Sequence, residues 1–414
     1  MSAATDLLDE FDIISPESFA RHGYPHEEWR RLRAESPVHF YGDGAIPFWA
    51  ITKHADITAI GRQPDLFLSA PRLFVSPLLD DGEIEGFERP ATLIEQDNPQ
   101  HRVSRKLISD LFTPRALKKI HPDVDRIAKQ IVDDLLEHGD EASVDFVEKV
   151  SAPLPIAVIG WLLGVPEPDW PKLFDWTNRM LGGDDPEYNP SDENEAQNAI
   201  IELFTYFTHL VEARRADPQD DLITVFANAE TDGKKLELIE VLSWCQIIVA
   251  AGNETTRNAT SGGILAFAEH PDQLRALQSD MSLLKPAVEE VVRWSSPIIH
   301  FARTAAADTE IRGQAIRKGD TVAMYYPSAN RDEDVFEDPD TFRIDRKPNR
   351  HIGFGVGEHF CAGAHVARLE LEYAFKYLLP RIEEIEIAGP VDRLQSNLIG
   401  GIKRLPIRYK LKPA

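Results

Sequence analysis

This sequence predicts a mainly α-helical chain with smaller β-sheets (α+β) and one long central helix, and three observations carry that reading. No proline interrupts the chain between Pro218 and Pro271, and Leu242 to Glu269 reads as a helix long enough to run through a core. A second helix, Ala364 to Leu379, has apolar positions at Val366, Leu369, Phe375 and Leu378 and begins directly after the glycine-rich run Phe354 to Gly363. Strand-like pieces are short and scattered, as at Pro37 to Tyr41 and Phe48 to Thr52.

The N-terminal portion alternates short helices with those strand-like pieces. Leu66 to Thr92, rich in proline, glycine and acids, is a loop of a length usually kept for function or motion, with a plain surface loop as the alternative. His101 to Lys119 carries Arg102, Arg105, Lys106, Arg115, Lys118 and Lys119 against one acid, Asp110; His101 and Arg105 are spaced to share one side of a helix. That local excess suits paired carboxylates or a docking patch for an acidic partner, and a solvated helix face is the bland alternative. From Arg126 to Trp170 the pattern is largely helical and reads as core, and Leu181 to Glu195 is a lid-like acidic connection.

In the middle of the long helix stands Ala251-Gly252-Asn253-Glu254-Thr255-Thr256, polar where a buried helix should avoid polarity. Small residues at 250, 251 and 252 leave room for a flat ligand, and an acid beside a hydroxyl can relay protons; a satisfied core threonine is the structural alternative. Cys245, on the same helix, reads as packing. Pro286 to Trp294 reads as a short helix whose Glu290 and Arg293, at i and i+3, can pair. A strand pair is expected at Glu310 to Ile316 and Thr321 to Tyr326, turned at Lys318-Gly319-Asp320, and Asn397 to Gly401 and Leu405 to Leu411 read as a turn and a terminal strand.

Composition narrows the class. With 45 basic and 69 acidic residues the net charge is −24, which argues against nucleic acid as a partner. Two cysteines in 414 residues make no disulfide framework and favour a reducing, cytoplasmic setting. The N-terminus has Asp6, Asp9, Glu10 and Asp12 where an anchor needs an apolar run, and no stretch reaches the roughly 18 apolar residues of a membrane span.

The chemistry concentrates at Cys361. A cysteine just ahead of a helix meets the positive end of the macrodipole and unpaired N–H groups, which favour the thiolate, a metal ligand or a nucleophile. Gly355, Gly357 and Gly363 allow tight bending and the close approach of a planar group. Gly355-Val356-Gly357 also begins a phosphate-loop pattern, but its third glycine falls on Phe360 and no buried strand precedes it. The pattern Phe354-x-x-Gly357-x-x-x-Cys361-x-Gly363, with His359 two before the cysteine, resembles the haem-binding signature of the cytochrome P-450 monooxygenases. Three further stretches resemble that family in the same order: the His101/Arg105 segment, Ala251-Gly252-x-Glu254-Thr255 and Glu290-x-x-Arg293.

The resemblance implies the cytochrome P-450 fold over 1–414 as a single catalytic domain with no fused reductase, binding haem b through Cys361. It implies propionate contacts at His101, Arg105, Arg303 and His359, with Phe354, Gly355 and Gly363 in the cofactor loop. Thr255 then orders water and bonds dioxygen, Glu254 feeds protons from solvent, and Glu290 with Arg293 is a buried clamp completed by Arg331 or Arg346. The pocket expected is Ile247, Ala250, Ala251, Ile298, Ile299, Leu398 and Ile399, roofed by Leu66 to Thr92.

The implied reaction inserts one oxygen atom of O2 into a C–H bond of a hydrophobic small molecule, terpenoid or steroid-like, with electrons from a ferredoxin and its reductase. Gly183 to Tyr188 looks like relatives acting on steroid side chains, and the C-terminal third resembles a terpineol-hydroxylating relative. Aromatic hydrocarbons, a peroxide-driven peroxygenase and a haem-based sensor are the alternatives. A monomer with no membrane attachment is expected.

Overall fold

One 32-residue helix, Leu238–Glu269, threads the molecule, and the other elements are arranged about it. The computed structural model describes residues 13–42, 46–75, 91–137, 141–182, 185–189, 195–231 and 233–412. At the N-terminal side α1 (Pro16–His22) and α2 (His26–Glu35) precede the hairpin of β1 (Val38–Tyr41) and β2 (Phe48–Ile51), then α3 (His54–Gly61) and β3 (Phe67–Leu68). Ser15 starts α1 by accepting the Ser18 N–H, with Pro16 at the first helical position, where a missing N–H has no cost.

A helical layer follows, with α4 (Gln100–Ser109), α5 (His121–Glu137), strand β4 (Glu141–Asp145), α6 (Pro153–Leu163), α7 (Trp170–Leu181), α8 (Glu195–Ala216) and α9 (Leu222–Asn228). After the small pair β5 (Glu230–Thr231) and β6 (Lys234–Lys235) comes the long helix, α10, opened by a capping box in which the Glu237 N–H donates to Glu240 Oε2 at 2.7 Å. Two hydrophobic clusters meet along α10. Ile264 and Phe267 pack with Val291 and Phe375, while Cys245 and Val249 pack with Leu203, Phe207 and Phe226. A helix apolar on nearly every side has to lie inside, so this packing rather than propensity fixes its course.

The C-terminal half continues with α11 (Pro271–Ser279), α12 (Leu284–Ser295), β7 (His300–Ala305), β8 (Thr309–Ile311), β9 (Gln314–Ile316), β10 (Thr321–Tyr325), the short α13 (Tyr326–Ala329) and α14 (Ala364–Leu378). Strands β11 (Ile382–Ile387), β12 (Asp392–Arg393), β13 (Ile402–Arg404) and β14 (Pro406–Leu411) close the chain. The largest sheet runs β1-β2-β10-β7-β3, and a second runs β11-β14-β4. No helix among the described residues is long and apolar enough to cross a membrane.

Two expectations fail here. Residues 310–316 and 321–326 are not a strand pair: β8 pairs with β9 around Arg312-Gly313, both at positive φ, while β10 lies antiparallel to β7 and parallel to β2. Lys318 to Asp320 does turn the chain, but long-range partners win β10. The supposedly helical span from Arg126 to Trp170 contains β4, which pairs with β14.

Of the lid-like stretch 181–195, residues 183–184 and 190–194 lie outside the described residues; so do residues 76–90 of the expected roof. The described part of the lid is pinned to the C-terminal strands. Asp185, 1% exposed, accepts the Gln395 N–H at 2.9 Å and pairs with Lys403 at 3.0 Å, while Glu187 pairs with Lys403 and Arg404.

Beneath the helices, Glu290 of α12 is fully buried and holds Arg293 at 2.7 Å and Arg346 at 3.1 Å. The Arg343 N–H and Asn349 Nδ2 donate to the same carboxylate. Arg346 therefore completes the clamp, and Arg331 instead pairs with Asp340 at 3.1 Å and stacks 3.8 Å over Trp294. Glu290→Ala would leave two buried guanidinium groups uncompensated. The expected loss of folding stability is about 3–5 kcal/mol, measured by denaturant unfolding.

Candidate active site

The cysteine loop owes its shape to two backbones touching. Gly355 and Gly357 have φ of 72° and 80°, and a Cβ on Gly357 would lie 1.8 Å from the Gly61 carbonyl oxygen at the end of α3. Only glycine fits there. The loop closes on itself where the Cys361 N–H donates to the Phe354 carbonyl at 2.9 Å, and α14 starts three residues later. Arg368 of α14 lies 4.4 Å over the Phe354 ring and is held in place by Glu289 of α12 at 2.6 Å.

Cys361 is thereby exposed to a cleft although it lies deep in the fold. Burial pushes its thiol up, against the Gly363 N–H and the Arg105 and Arg368 guanidinium groups, which pull it down. The expected helix-end preference for thiolate is present in the Gly363 N–H but is outweighed by desolvation. A metal cation is the complement that deprotonates such a ligand. Among the described residues no three His, Cys, Asp or Glu side chains converge as a metal site.

Around the cleft the sequence-predicted basic residues do converge. His101 and Arg105 of α4 share a face; the His101 and His359 rings lie 4.0 Å apart, and Ser69 Oγ is 3.2 Å from His359 Nε2. Among the described residues, both buried ring nitrogens of His101 have no hydrogen-bond partner. Arg303, 6% exposed, donates only to the carbonyl of its neighbour Ala302, and neither it nor Arg105 forms an ion pair among the described residues. Buried polar groups are rarely left this way. Arg105 and Arg303, desolvated guanidinium groups without carboxylate partners among the described residues, call for an anion, and His101 and His359, whose pKa burial lowers, stand beside them as neutral hydrogen-bonding groups. Open space where a Gly363 Cβ would stand fits a planar group.

On α10, Ile247, Ala250 and Thr255 are partly buried and Ala251 is exposed, in the middle of a helix whose flanking positions Val249, Asn253 and Glu254 are buried. Thr255 Oγ1 donates to the Ala251 carbonyl at 2.8 Å and keeps its lone pairs free to accept. Gly252 does not make room for a ligand: a Cβ there would meet Ile159 of α6 at 2.9 Å, so its smallness serves helix packing. Glu254, expected to feed protons from solvent, is 1% exposed, ion-paired with Arg257, and accepts from Asn258 Nδ2 at 2.9 Å.

The remaining pocket positions divide. Ile298 bridges to Ile399, and the Ile299 N–H donates to the Leu398 carbonyl at 2.8 Å, so the expected turn does return to this wall. The side chains of Ile299 and Ile399 are 0% and 2% exposed, and Ile299 packs with Phe19, Trp29 and Tyr325. Ile298 and Leu398 alone of the four keep partial exposure. At the end of the expected roof, Thr92 and Leu93 line a crevice against Ser243 and Trp244, one turn before Ile247. Sequence reasoning missed Arg257, Asn258 and Arg368. The first two stand at i+3 and i+4 from Glu254, a spacing that could have shown them.

The family model for Cytochrome P450 matches residues 81–412, and this chain belongs to that family. It is a cytochrome P450 monooxygenase, whose reaction uses haem iron and O2. The chain is 37% identical over 420 residues to a Steroid C26-monooxygenase of Rhodococcus jostii, covering 99% of this chain and 86% of that protein. It is 36% identical to Cytochrome P450-terp of a Pseudomonas species, covering 96% of each. Among solved structures, a Mycobacterium marinum cytochrome P450 in complex with pseudoionone superposes with a TM-score of 0.88 at 36% identity, covering 96% of this chain and 97% of that one.

Burial, together with the charges of Arg303 and His101, lowers the His359 pKa from its ordinary 6.5 to about 3. A histidine held neutral in the fold but protonated when unfolded stabilises fully above pH 6.5, and that stability drains as pH falls towards 3. His359→Gln should shrink the fall in Tm of the haem-free chain between pH 7 and pH 5, read by calorimetry.

Proposed function

We propose that this chain is a haem-thiolate monooxygenase that inserts one atom of O2 into a C–H bond of a terpenoid or steroid-like molecule. The observation that supports this reading is an exposed Cys361 beside His101, whose buried ring nitrogens are unpaired, and Arg105 and Arg303, which form no ion pair among the described residues. Cys361 would hold the iron of haem b, with Phe354, Gly355 and Gly363 against the ring and His101, Arg105, Arg303 and His359 binding its propionates. Bound there, the haem supplies the electron-rich thiolate-ligated iron that favours O–O cleavage.

The residues of α10 do the rest. Thr255 accepts and orders water at the reacting face through Oγ1, and Glu254 returns protons to that site. Ile247, Ala250, Ala251, Ile298 and Leu398 give an aliphatic wall that holds a substrate by burial and excludes water, and the names of the steroid and P450-terp relatives support the substrate class. Glu254 and Thr255 favour the O2-dependent reaction over a peroxide-driven one, which has no use for a proton relay. Lys106, Arg115 and Lys118 are exposed cations without ion pairs among the described residues, suited to an acidic ferredoxin; Arg102 and Lys119 are engaged by Glu358 and Asp220. One catalytic domain, monomeric and cytoplasmic, completes the proposal.

Cys361→His should abolish the red-shifted Soret band of the reduced carbon monoxide complex; a persisting band means another ligand. Thr255→Ala and Glu254→Gln should lower product formed per NAD(P)H consumed with ferredoxin and O2, while substrate still gives the low-spin to high-spin Soret shift. Steroid and terpenoid ligands should give that shift where polar ones do not. Product with peroxide alone and none with reduced ferredoxin and O2 would overturn the monooxygenase assignment.

A further inference from the structure

Glu254 presents a problem that its neighbours pose and partly answer. A relay acid has to be recharged from bulk water, yet this carboxylate is 1% exposed and closed in by protein. On one side Arg257, itself 1% exposed, pairs with it and is tied to Asn178 of α7 at 2.9 Å. On the other, Asn258 donates to Glu254 Oε1 at 2.9 Å and accepts the Ile402 N–H at 3.0 Å.

Asn258 is also the inner end of a cavity of about 300 Å³ that lies away from the cysteine loop, between α10, the first two helices and the turn joining β12 to β13. Along α10 its wall is Asn258, Gly262, Leu265 and Glu269, spaced four, three and four residues apart. Glu254 is one more step of four in the same series, so a single face of the helix runs from the relay acid to Glu269, which is exposed at the helix end. The opposite wall includes His22, exposed, and His26, whose buried Nδ1 has no protein partner. A cavity of this size, lined by both polar and apolar side chains, is far above the ~10–15 Å³ that one water needs, and unpartnered polar atoms are what hold water in place.

We propose that this cavity is the route by which solvent protons reach Glu254, with Asn258 as the positioning residue that gates its inner end. The inference rests on the reading of Glu254 as a relay acid. When the Asn258 amide swings aside, cavity water touches the carboxylate. Glu254 passes one proton towards the reaction site and takes one from a hydronium carried along the cavity water, so protons balance and no electrons move. Arg257 restores the ionised carboxylate to its resting place between turnovers.

Two substitutions with opposite steric effect test this in the intact haem-loaded enzyme. Leu265→Trp fills the cavity, and Asn258→Ala removes the gate. After transfer to D2O, exchange of the Arg257 guanidinium is followed by infrared difference spectroscopy, its band assigned by loss in Arg257→Lys. Leu265→Trp should slow that exchange by about tenfold or more and increase the solvent isotope effect on turnover, while Asn258→Ala should leave exchange as fast as in the parent or faster. A purely structural role for Asn258 would move both variants in the same direction. If Leu265→Trp lowers haem content, Leu394→Trp on the facing wall replaces it. Unchanged exchange with either tryptophan in place overturns the route. An unaltered product yield in Glu254→Gln would overturn the relay reading instead, and the exchange result decides the water path independently of it.

Discussion

The structure depends on a carboxylate that has no access to water. Glu290 sits at zero exposure and survives there because Arg293, Arg346, the Arg343 N–H and the Asn349 amide fill its lone pairs. Breaking such an arrangement is costly, although replacing all of it with apolar groups need not be. Its value is therefore geometric. It ties α12 to residues 343–349, an otherwise irregular run without sheet or helix to hold it, and that run leads directly into the cysteine loop. Next door on α12, Glu289 reaches the other way, to Arg368 and His351, and so anchors α14 behind Cys361. One turn of helix thus fixes both ends of the loop.

Across the cleft the constraint is of another kind. Helix α10 has to be apolar enough to lie in the core and yet carry a carboxylate, two asparagines and an arginine in its middle. The conflict is resolved in part: Glu254 pairs with Arg257 and accepts from Asn258, these two borrow partners from α7 and β13, and Asn253 is left with both side-chain polar atoms unpaired among the described residues. The price is that the acid is hidden, so its communication with water has to pass through the packing. A cavity beside Asn258 gives that packing its opening. The same β12–β13 turn that lines the cavity also receives the lid, through Asp185 and Lys403, so lid position and cavity shape share one support.

Much of this is legible in the sequence. The cysteine loop, the i and i+3 pair at Glu290 and Arg293, the His101/Arg105 face and the polar interruption of the long helix are all local spacings, and local spacing survives folding because helix geometry is fixed within a few residues. The strand pairing was not legible: β10 is bounded by a good turn at Lys318 to Asp320, yet its partners β7 and β2 come from 16 or more residues away, and no short pattern encodes that register.

What the sequence determined by itself was the chemistry on offer: one cysteine before a helix, a set of basic residues, an acid beside a threonine. What only the tertiary structure decided was which of these are free to act. Arg346 rather than Arg331 completes the clamp, Ile299 turns into the core while Ile298 stays at the cleft, and Gly252 serves α6 rather than a ligand. Glu254 is buried at 1% exposure beside Arg257 and Asn258. The physical reason is common to all four: burial and partnering depend on side chains brought from distant elements, and the free energy of desolvating a charge or filling a gap is set only when those neighbours arrive.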